Sequence, residues 1–308
     1  MIIFENIQKL SQPTAVALGH FDGVHKGHQL VISNAVKCQK QGLSPVVITF
    51  QQNPACVVSK KKIPYLMENH IKNEYIGKLG VEYLFNLDFN SVINITAEEF
   101  VREILHKQLN AKRVYCGFNY HFGNGGTANS ETLRELCWEY GIEVVALPPS
   151  MYNDETISST RIRHYLKQGR ITDVTKMLGR EFTYRLPVCK GNQLGRQMGT
   201  PTFNQPIPEN LILPRYGAYV TAVNLEDGRK VCGVTNIGIK PTVGSEGPLA
   251  ETWVPNIDCG NLYGKVLEIE LLDFIRGETK FNSIFELKAA ILADGEFATK
   301  RFNSYYSK

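Results

Sequence analysis

The sequence has few of the features that mark membrane, secreted or disulfide-rich chains. No stretch approaches the roughly 18 consecutive apolar residues that a membrane-spanning helix needs. Residues 1–6 are not a basic stretch followed by an apolar one, so a secretory signal is not expected. The seven cysteines are an odd number without a C-x-x-C pair, which argues against a disulfide framework and a zinc site. These absences predict a cytoplasmic protein with reduced thiols.

Concentrated positive charge is also missing. The net charge of +4 is small for 308 residues, and the only dense basic run is at residues 60–62. Nucleic-acid-binding chains gather much more positive charge on one face, so we expect neither a nucleic-acid nor a membrane partner. A mildly basic balance suits small anionic substrates such as nucleotides. Composition leaves the oligomeric state open.

The chain has the bulk properties of an ordinary globular protein, with 43% hydrophobic and 21% charged residues. Its length favours two domains, and two halves of the sequence differ in periodicity. Up to about residue 180, short apolar runs alternate with longer amphipathic ones, which predicts βαβ units and a parallel sheet. The predicted strands are 14–19, 45–50, 83–87, 114–116 and 142–147, and the predicted helices are 28–41, 68–79, 97–108, 130–140, 159–167 and 171–178. We therefore predict a Rossmann-like α/β domain over residues 1–182.

The second half has the pattern of antiparallel β-structure. Glycine and proline become frequent, and residues 216–223, 230–235 and 266–274 alternate between apolar and polar side chains. This pattern predicts a small antiparallel β-barrel over residues 183–308. Residues 283–302 have apolar side chains near helical spacing, so we expect a terminal amphipathic helix that packs on the barrel.

A turn rich in glycine and histidine, residues 19–28 (G-H-F-D-G-V-H-K-G-H), lies where the first strand gives way to the first helix. Ligands bind at this edge of a wound α/β sheet. Glycines let the backbone approach a phosphate, and a helix amino terminus supplies free N–H groups. His25 and His28 are three residues apart, so both can face the same phosphate. A tight turn with two incidental histidines is the alternative for this segment taken alone.

The turn resembles the G-x-F-D-G-x-H-x-G-H form of the H-x-G-H signature in prokaryotic FMN adenylyltransferases, members of the nucleotidyltransferase superfamily. Residues 157–163 (I-S-S-T-R-I-R) resemble the segment with which that superfamily holds the β- and γ-phosphates of ATP. Taken alone, this segment could simply cap a helix. Residues 117–123 (G-F-N-Y-H-F-G) resemble a family segment that helps to form the nucleotide and flavin pockets.

This resemblance implies roles for named residues in the first half. His25, His28 and Arg161 are the implied catalytic residues, and Asn119 and Tyr120 are the implied FMN contacts. The implied ATP contacts are Gly19, Phe21, Asp22, Gly23, His25, His28, Ser158, Ser159, Thr160 and Arg161.

One segment departs from the family pattern. Residues 49–54 read T-F-Q-Q-N-P where the family usually has T-F-D-P-H-P, so Gln51 replaces an aspartate and Asn53 replaces a histidine. Loss of a charge and an imidazole beside the phosphates is expected to slow adenylyl transfer.

A second glycine-rich segment, residues 190–204 (K-G-N-Q-L-G-R-Q-M-G-T-P-T-F-N), begins the other half. Such an arch can close over a nucleotide with its N–H groups, while Thr202 and Asn204 offer oxygen ligands to Mg²⁺. Glycine turns between barrel strands are the alternative. The segment resembles the G-x-x-x-G-R-x-x-G-x-P-T-x-N hallmark of riboflavin kinases, and the similarity continues through residues 216–219, 233–242, 262–264 and 274–281.

The kinase resemblance implies a second set of roles. Glu251 holds the place of the general base, although a solvent-facing strand residue is its alternative role. Arg276 and Glu278 are the implied flavin contacts, and Thr202 and Asn204 are the implied Mg²⁺ ligands. The implied ATP contacts are Gly191, Gly195, Arg196, Gly199, Pro201 and Thr202. Three departures are Trp253 for a common histidine, Ala218 for valine, and residues 256–258 where L-D-F is usual.

Both resemblances occur in the order found in prokaryotic bifunctional FAD synthetases. They imply that the chain converts riboflavin and ATP to FMN and ADP, and then FMN and ATP to FAD and pyrophosphate, with Mg²⁺. One alternative is a riboflavin kinase whose first half is inactive, which Gln51 and Asn53 favour. The other is a flavin-binding regulator that keeps the pockets without turnover.

Overall fold

The computed structural model describes residues 1–190, 199–239, 247–255, 257 and 260–307. The chain divides into two compact units, Met1–Ser159 and Thr160–Lys308. The domain boundary at residue 182 remains a prediction. No helix in the described ranges is long and apolar enough to cross a membrane.

The first unit contains a six-stranded sheet in which every pair of neighbouring strands is parallel. Its strand order is β1-β4-β3-β2-β5-β8. The strands of this unit are β1 (Ile2–Phe4), β2 (Thr14–Leu18), β3 (Ser44–Phe50), β4 (Tyr83–Leu87), β5 (Ala111–Gly117), β6 (His121–Phe122), β7 (Ala128–Asn129), β8 (Glu143–Leu147), β9 (Met151–Tyr152) and β10 (Glu155–Thr156). The helices are α1 (Lys26–Lys37), α2 (Pro54–Ser59), α3 (Asn69–Lys78), α4 (Ala97–Glu99) and α5 (Ser130–Trp138).

The predicted parallel α/β architecture is confirmed, with differences at element ends. α1 begins before the predicted residue 28 and ends in a 3₁₀ turn at Cys38–Gln41. α4 continues as a π-helical segment, Phe100–Gln108, in which the Leu109 N–H donates to the carbonyl of Ile104. The sequence did not predict β1 or α2, because three and six residues are too few to show a period.

β2 lies at the centre of this sheet, between β3 and β5. All five of its residues are buried, since α/β sheets are covered on both faces. The chain runs outward from β2 through β3 to β4 and then returns to β5 on the other side. The carboxyl ends of β2 and β5 therefore flank a topological switch point, the position at which open α/β sheets bind ligands.

The second unit is built on an antiparallel sheet in the order β11-β16-β13-β14-β15-β12. Its strands are β11 (Phe182–Pro187), β12 (Thr202–Pro206), β13 (Gly217–Asn224), β14 (Lys230–Ile239), β15 (Pro248–Trp253) and β16 (Val266–Gly277). The sheet curls until its two edges meet, where the Cys189 N–H donates to the Asn204 carbonyl at 2.8 Å. This curled sheet confirms the predicted barrel-type architecture.

The described residues around the curled sheet form the helices α6 (Ser159–Gln168), α7 (Ile171–Leu178) and α8 (Ile284–Tyr306). α8 is longer than the predicted segment and packs on β13 and β14. The sequence suggested that α7 closes the first half, but α7 packs on β11 and β16 instead. The apolar side chains of α7, including Ile171, Val174 and Met177, are fully buried against these strands.

Two candidate active sites

The turn between β2 and α1 brings the two predicted histidines together. His25 is the N-cap of α1, and its Nδ1 accepts the N–H of His28 at 3.3 Å. The two imidazole rings stack with 3.5 Å between their centroids and 20° between their planes. His25 is buried, whereas His28 is half-buried. Both rings thus occupy one face of the helix start at the switch point of the sheet.

The backbone of this turn is held in an unusual conformation. Phe21 and Val24 have φ values of +58° and +40°, a region that non-glycine and especially β-branched residues rarely adopt. A Cβ on Gly19 would lie 2.7 Å from the ring of Phe21, so only glycine fits there. Strain of this kind persists where the surroundings enforce it, and it concentrates at ligand sites.

Asp22 and Ser159 join the two predicted phosphate-binding segments. The Ser159 hydroxyl donates to the carbonyl oxygen of Asp22 at 2.8 Å, across 137 positions of sequence. The buried Asp22 carboxylate accepts the N–H of Leu66 at 3.0 Å. Asp22 therefore braces the turn through both its backbone and its side chain, a role that the sequence did not suggest. The predicted ATP contacts of Ser158, Thr160 and the glycines remain predictions.

Arg161 lies in the first turn of α6. Its Nη2 donates to the Tyr165 hydroxyl at 3.0 Å, and its guanidinium lies 5.1 Å from the centre of the Tyr165 ring. The Arg170 guanidinium lies 4.0 Å from the same ring. Tyr165 thus contacts both cations, and its hydroxyl helps to hold Arg161. The i, i+4 spacing of Arg161 and Tyr165 was the signal in the sequence that could have identified this pair.

An apolar cavity of about 300 Å³ lies beside the carboxyl ends of β3 and β4 in the first unit. Its walls include the rings of Phe50, Phe89, Tyr120 and Phe122. The Tyr120 ring stacks on Phe122 with 14° between the planes, and burial raises the pKa of its hydroxyl above the usual value. Aromatic walls of this kind suit a flat, largely apolar ring system.

The other predicted FMN contact, Asn119, has a different position. Its side chain is exposed, and its carbonyl oxygen lies 3.0 Å from Nδ1 of His121. Asn119 does not line the aromatic cavity. Of the two residues, only Tyr120 contributes to the cavity wall, and the flavin contact of Asn119 stays a prediction.

The two departures from the family pattern have structural roles here. Gln51 donates from Nε2 to the Asn86 carbonyl at 3.2 Å. Asn53 caps α2, since its Oδ1 accepts the N–H of Ala55 at 3.0 Å. Both amides stabilise the loop between β3 and α2 without supplying a charge.

Lys72 is a buried cation that the sequence analysis missed. It lies on α3 with only 3% of its surface exposed, and its Nζ donates to the Phe50 carbonyl at 2.6 Å. Burial lowers the pKa of Lys72 from 10.5 to about 8, while the Asp22 carboxylate acts in the opposite direction. The lysine thus stabilises the carboxyl end of β3 through this hydrogen bond. No local pattern distinguishes it from a surface lysine of an amphipathic helix.

The second site is built on a row of residues that are paired directly across five neighbouring strands. Directly opposite residues of antiparallel strands project from the same face. The row follows the order Asn204, Glu251, Asn236, Ala218 and Arg276. It places the predicted base beside a predicted Mg²⁺ ligand, and it places a predicted flavin contact at the far end.

The Mg²⁺ ligands that the resemblance implies fit a cation. Thr202 donates its hydroxyl to Oε1 of Glu251 at 2.9 Å, so the lone pairs of the Thr202 oxygen are available to a metal. Asn204 is 7% exposed, and its Oδ1 meets no hydrogen-bond donor among the described residues. A buried carbonyl oxygen without a donor is a suitable ligand for a hard cation.

Some predicted nucleotide contacts cannot be placed. Gly191, Gly195 and Arg196 lie outside the described residues. Gly199 and Pro201 are exposed and lead directly into β12, and Gly199 has a φ of +78°. Their proposed ATP contacts therefore remain predictions.

A cavity of about 570 Å³ covers one face of the residue row. Glu251, Asn236, Ala218 and Arg276 line it, together with residues of α8. Trp253, which replaces the usual histidine, also lines the cavity and packs so closely on α8 that a Cβ on Gly295 would lie 2.5 Å from its ring. The departure thus extends the apolar wall of the cavity.

Glu278 depends on a neighbouring glycine for its position in the same cavity. A Cβ on Gly238 of β14 would lie 2.1 Å from Oε1 of Glu278. The carboxylate therefore lies against the β14 backbone, and a larger residue at position 238 would have to displace the end of the Glu278 side chain.

The fold and the two sites define a two-unit class of protein, with a nucleotide-binding α/β unit followed by a kinase-type curled β-sheet. Two family models agree with this division: FAD synthetase matches residues 7–161, and riboflavin kinase matches residues 178–302.

The chain is 34% identical over 306 residues to the bifunctional riboflavin kinase/FMN adenylyltransferase of Buchnera aphidicola subsp. Schizaphis graminum, and the match covers 97% of both chains. It is 29% identical to the protein of the same description from Escherichia coli K12, with 98% of each chain covered. The chain belongs to the bifunctional riboflavin kinase/FMN adenylyltransferase family. A crystal structure described as a macrolide-efflux protein from Streptococcus pneumoniae is similar over 97% of this chain and 98% of its own, with a TM-score of 0.86 and 31% identity.

Proposed function

We propose that the second unit phosphorylates riboflavin with ATP to give FMN and ADP, and that the first unit adenylylates FMN with a second ATP to give FAD and pyrophosphate. One observation carries the proposal. In the paired row across the curled sheet, Glu251 is directly opposite Asn204 and also lines a cavity of about 570 Å³. The proposed base is therefore adjacent to both a proposed cation ligand and the proposed substrate cavity.

In the proposed kinase reaction, Glu251 accepts the proton of the riboflavin 5′-hydroxyl as that oxygen attacks the γ-phosphorus of ATP. The bond from this phosphorus to the bridging oxygen breaks, and ADP leaves. Thr202 holds the Glu251 carboxylate through its 2.9 Å hydrogen bond, so the base is oriented before the substrate arrives. Catalysis of this kind depends mainly on positioning and electrostatics.

Thr202 and Asn204 would hold Mg²⁺. The ion would neutralise charge on the ATP phosphates during the transfer. The Oδ1 of Asn204, which meets no donor in the part of the chain that the structure describes, supports this assignment.

In the proposed transferase reaction, the nucleophile is the phosphate of FMN, which is already an anion and needs no general base. A phosphate oxygen attacks the α-phosphorus of ATP, and pyrophosphate leaves. His25 and His28 would donate to phosphate oxygens in the transition state, and Ser159 and Arg161 would bind the departing pyrophosphate. The stacked imidazoles at the start of α1 support this assignment. The aromatic cavity that Tyr120 lines would receive the flavin ring.

One alternative is a kinase whose transferase site is inactive. The observation in its favour is that Gln51 and Asn53 bond to the backbone of the first unit and bring no charge to it. The use of ATP fits a cytoplasmic enzyme, as do the cysteines that the structure describes, all of which are free, and the cytoplasm is the location we propose.

The purified chain is to be incubated with ATP and Mg²⁺, once with riboflavin and once with FMN, and the flavins separated by chromatography. Formation of FMN in the first reaction and of FAD in both supports the bifunctional proposal. FMN without FAD would establish the kinase alone. Flavin binding without any product would favour a regulator.

A further inference from the structure

Asp294 is a buried carboxylate to which neither the motifs nor the proposed mechanism assigns a role. It lies on α8 and is 6% exposed. Its two oxygens accept from Nε of Arg276 at 3.1 Å each, and Oδ2 also accepts from Nη2 at 2.8 Å. Such a forked pair fixes the plane of a guanidinium as well as its position. Asp294 is the buried partner, with 8% of its side chain exposed against 31% for Arg276, so loss of Arg276 would leave a buried charge without compensation, whereas loss of Asp294 would leave Arg276 free to move.

Arg276 occupies the end of the paired row that is farthest from the Mg²⁺ ligands. Three inter-strand steps separate it from Glu251. Neighbouring strands lie about 4.8 Å apart, so the two residues are about 14 Å apart along the sheet. Both line the same cavity. A substrate whose hydroxyl reacts at Glu251 therefore places its far end beside Arg276.

The surroundings of Arg276 suit a flat ring. Its guanidinium lies 5.5 Å from the centre of the Phe281 ring, which also lines the cavity. A fixed guanidinium plane beside an aromatic ring is a surface on which a planar heterocycle stacks. The isoalloxazine of riboflavin is such a heterocycle, and FMN has the same one.

We propose that Asp294 is a positioning residue for the kinase reaction, which holds Arg276 as the end wall for the flavin ring. Asp294 also lines the cavity, but both of its oxygens accept from Arg276, so it acts on the substrate through Arg276. Because the reacting hydroxyl lies at the opposite end of the row, Asp294 affects flavin binding and leaves the chemical step unchanged. Interactions that are equally strong in the ground state and the transition state alter KM and not kcat.

The test compares Asp294→Asn with the full-length wild-type chain in riboflavin phosphorylation. We expect the KM for riboflavin to rise about tenfold, the range for loss of a charged hydrogen-bond partner. We expect the kcat and the KM for ATP to stay within twofold. Inhibition by FMN should weaken by the same factor as riboflavin binding, because both ligands have the same ring.

Controls separate this role from a structural one. Asp294→Glu should recover most of the riboflavin affinity, and Glu296→Gln, an exposed acid on the same helix, should behave as wild type. An unchanged riboflavin KM in Asp294→Asn, or an equal fall in kcat and rise in ATP KM, would overturn the proposal. If Asp294→Asn does not fold, the double variant Arg276→Gln/Asp294→Asn replaces it. Its KM for riboflavin should equal that of Arg276→Gln alone, because Asp294 acts through Arg276.

The inference rests on the proposed kinase activity, and the two can fail separately. Absence of FMN from wild-type chain, riboflavin and ATP would reject the kinase proposal. Normal FMN formation by the wild type, together with an unchanged riboflavin KM in Asp294→Asn, would reject only the positioning role.

Discussion

The Thr202 hydroxyl donates to the Glu251 carboxylate at 2.9 Å, which links a proposed metal ligand directly to the proposed base. Asn204, two residues further along β12, is paired directly opposite Glu251 on β15. One pair of neighbouring strands therefore carries both halves of the proposed kinase chemistry. The orientation of the base and the placement of the cation depend on the same register.

Glu251→Gln should remove the proton acceptor while keeping the shape of the side chain. We expect riboflavin phosphorylation to fall by at least about 100-fold, the lower end for loss of general base catalysis. FMN adenylylation should be unchanged, because the first unit does not use this residue. The measurement is FMN and FAD formation by chromatography, and an equal loss of both activities would contradict the division of labour.

Asn204→Leu should test the cation site, since leucine keeps the volume but removes the carbonyl oxygen. We expect the Mg²⁺ concentration for half-maximal kinase rate to rise about tenfold, as for loss of one binding contact. Asn204→Asp, which keeps an oxygen at this position, should not need more Mg²⁺ than wild type. A Mg²⁺ titration of the initial rate measures both variants. Identical titrations for wild type and Asn204→Leu would remove Asn204 from the site.

His25 should have two separable roles. As N-cap of α1 it accepts the N–H of His28, so His25→Ala should lower the free energy of unfolding by about 1 kcal/mol. His25→Asn keeps a capping oxygen and should retain stability. Both variants should lose adenylyl transfer by about 100-fold or more, because a transition-state donor is missing. Denaturant unfolding and FAD formation from FMN check the two effects. Retained FAD formation in His25→Asn would restrict His25 to capping.

Gly238→Ala should displace Glu278 from the cavity wall, since the added Cβ would meet Oε1 at 2.1 Å. Because the displaced group is the flexible, exposed end of a glutamate, we expect little loss of stability but a higher KM for riboflavin. In a Glu278→Ala background the same glycine substitution should leave this KM unchanged, because the clashing side chain is gone. The riboflavin KM values of the four chains give the coupling. Additive effects would show that the two residues do not meet.

Lys72 should make stability depend on pH in a defined direction. Its pKa is about 8 in the folded chain against 10.5 for the ordinary side chain, so the unfolded state binds more protons between those values. Stability from Lys72 therefore rises as pH increases through this window, by about 1.4 kcal/mol per pH unit.

The measurement compares wild type with Lys72→Met by denaturant unfolding from pH 7 to pH 10.5. As pH rises above about 8, the unfolding free energy of the wild type should increase relative to that of Lys72→Met. Lys78→Met, which replaces an exposed lysine on the same helix, serves as the control. A pH-independent difference for Lys72→Met would show that its ammonium is not affected by burial.

The sequence by itself indicated the two architectures and the residues proposed for both sites. Apolar periodicity is a local property, so the parallel α/β half and the antiparallel half could be recognised without a structure. The glycine-histidine turn and the P-T-x-N segment are also contiguous, so the residues proposed for the two sites could be named from the sequence. Short elements such as β1 and α2 were missed because each contains fewer than two full repeats of its period.

Tertiary structure alone decided which distant residues meet. The Ser159 contact with Asp22 spans 137 positions, and the bond between Arg276 and Asp294 joins the last strand to the terminal helix. Strand order and register determine such contacts, and neither is encoded in a local repeat. The burial that lowers the pKa of Lys72 likewise arises only when α3 packs on the sheet. The row from Asn204 to Arg276 exists because five strands, separated in sequence, align in one register.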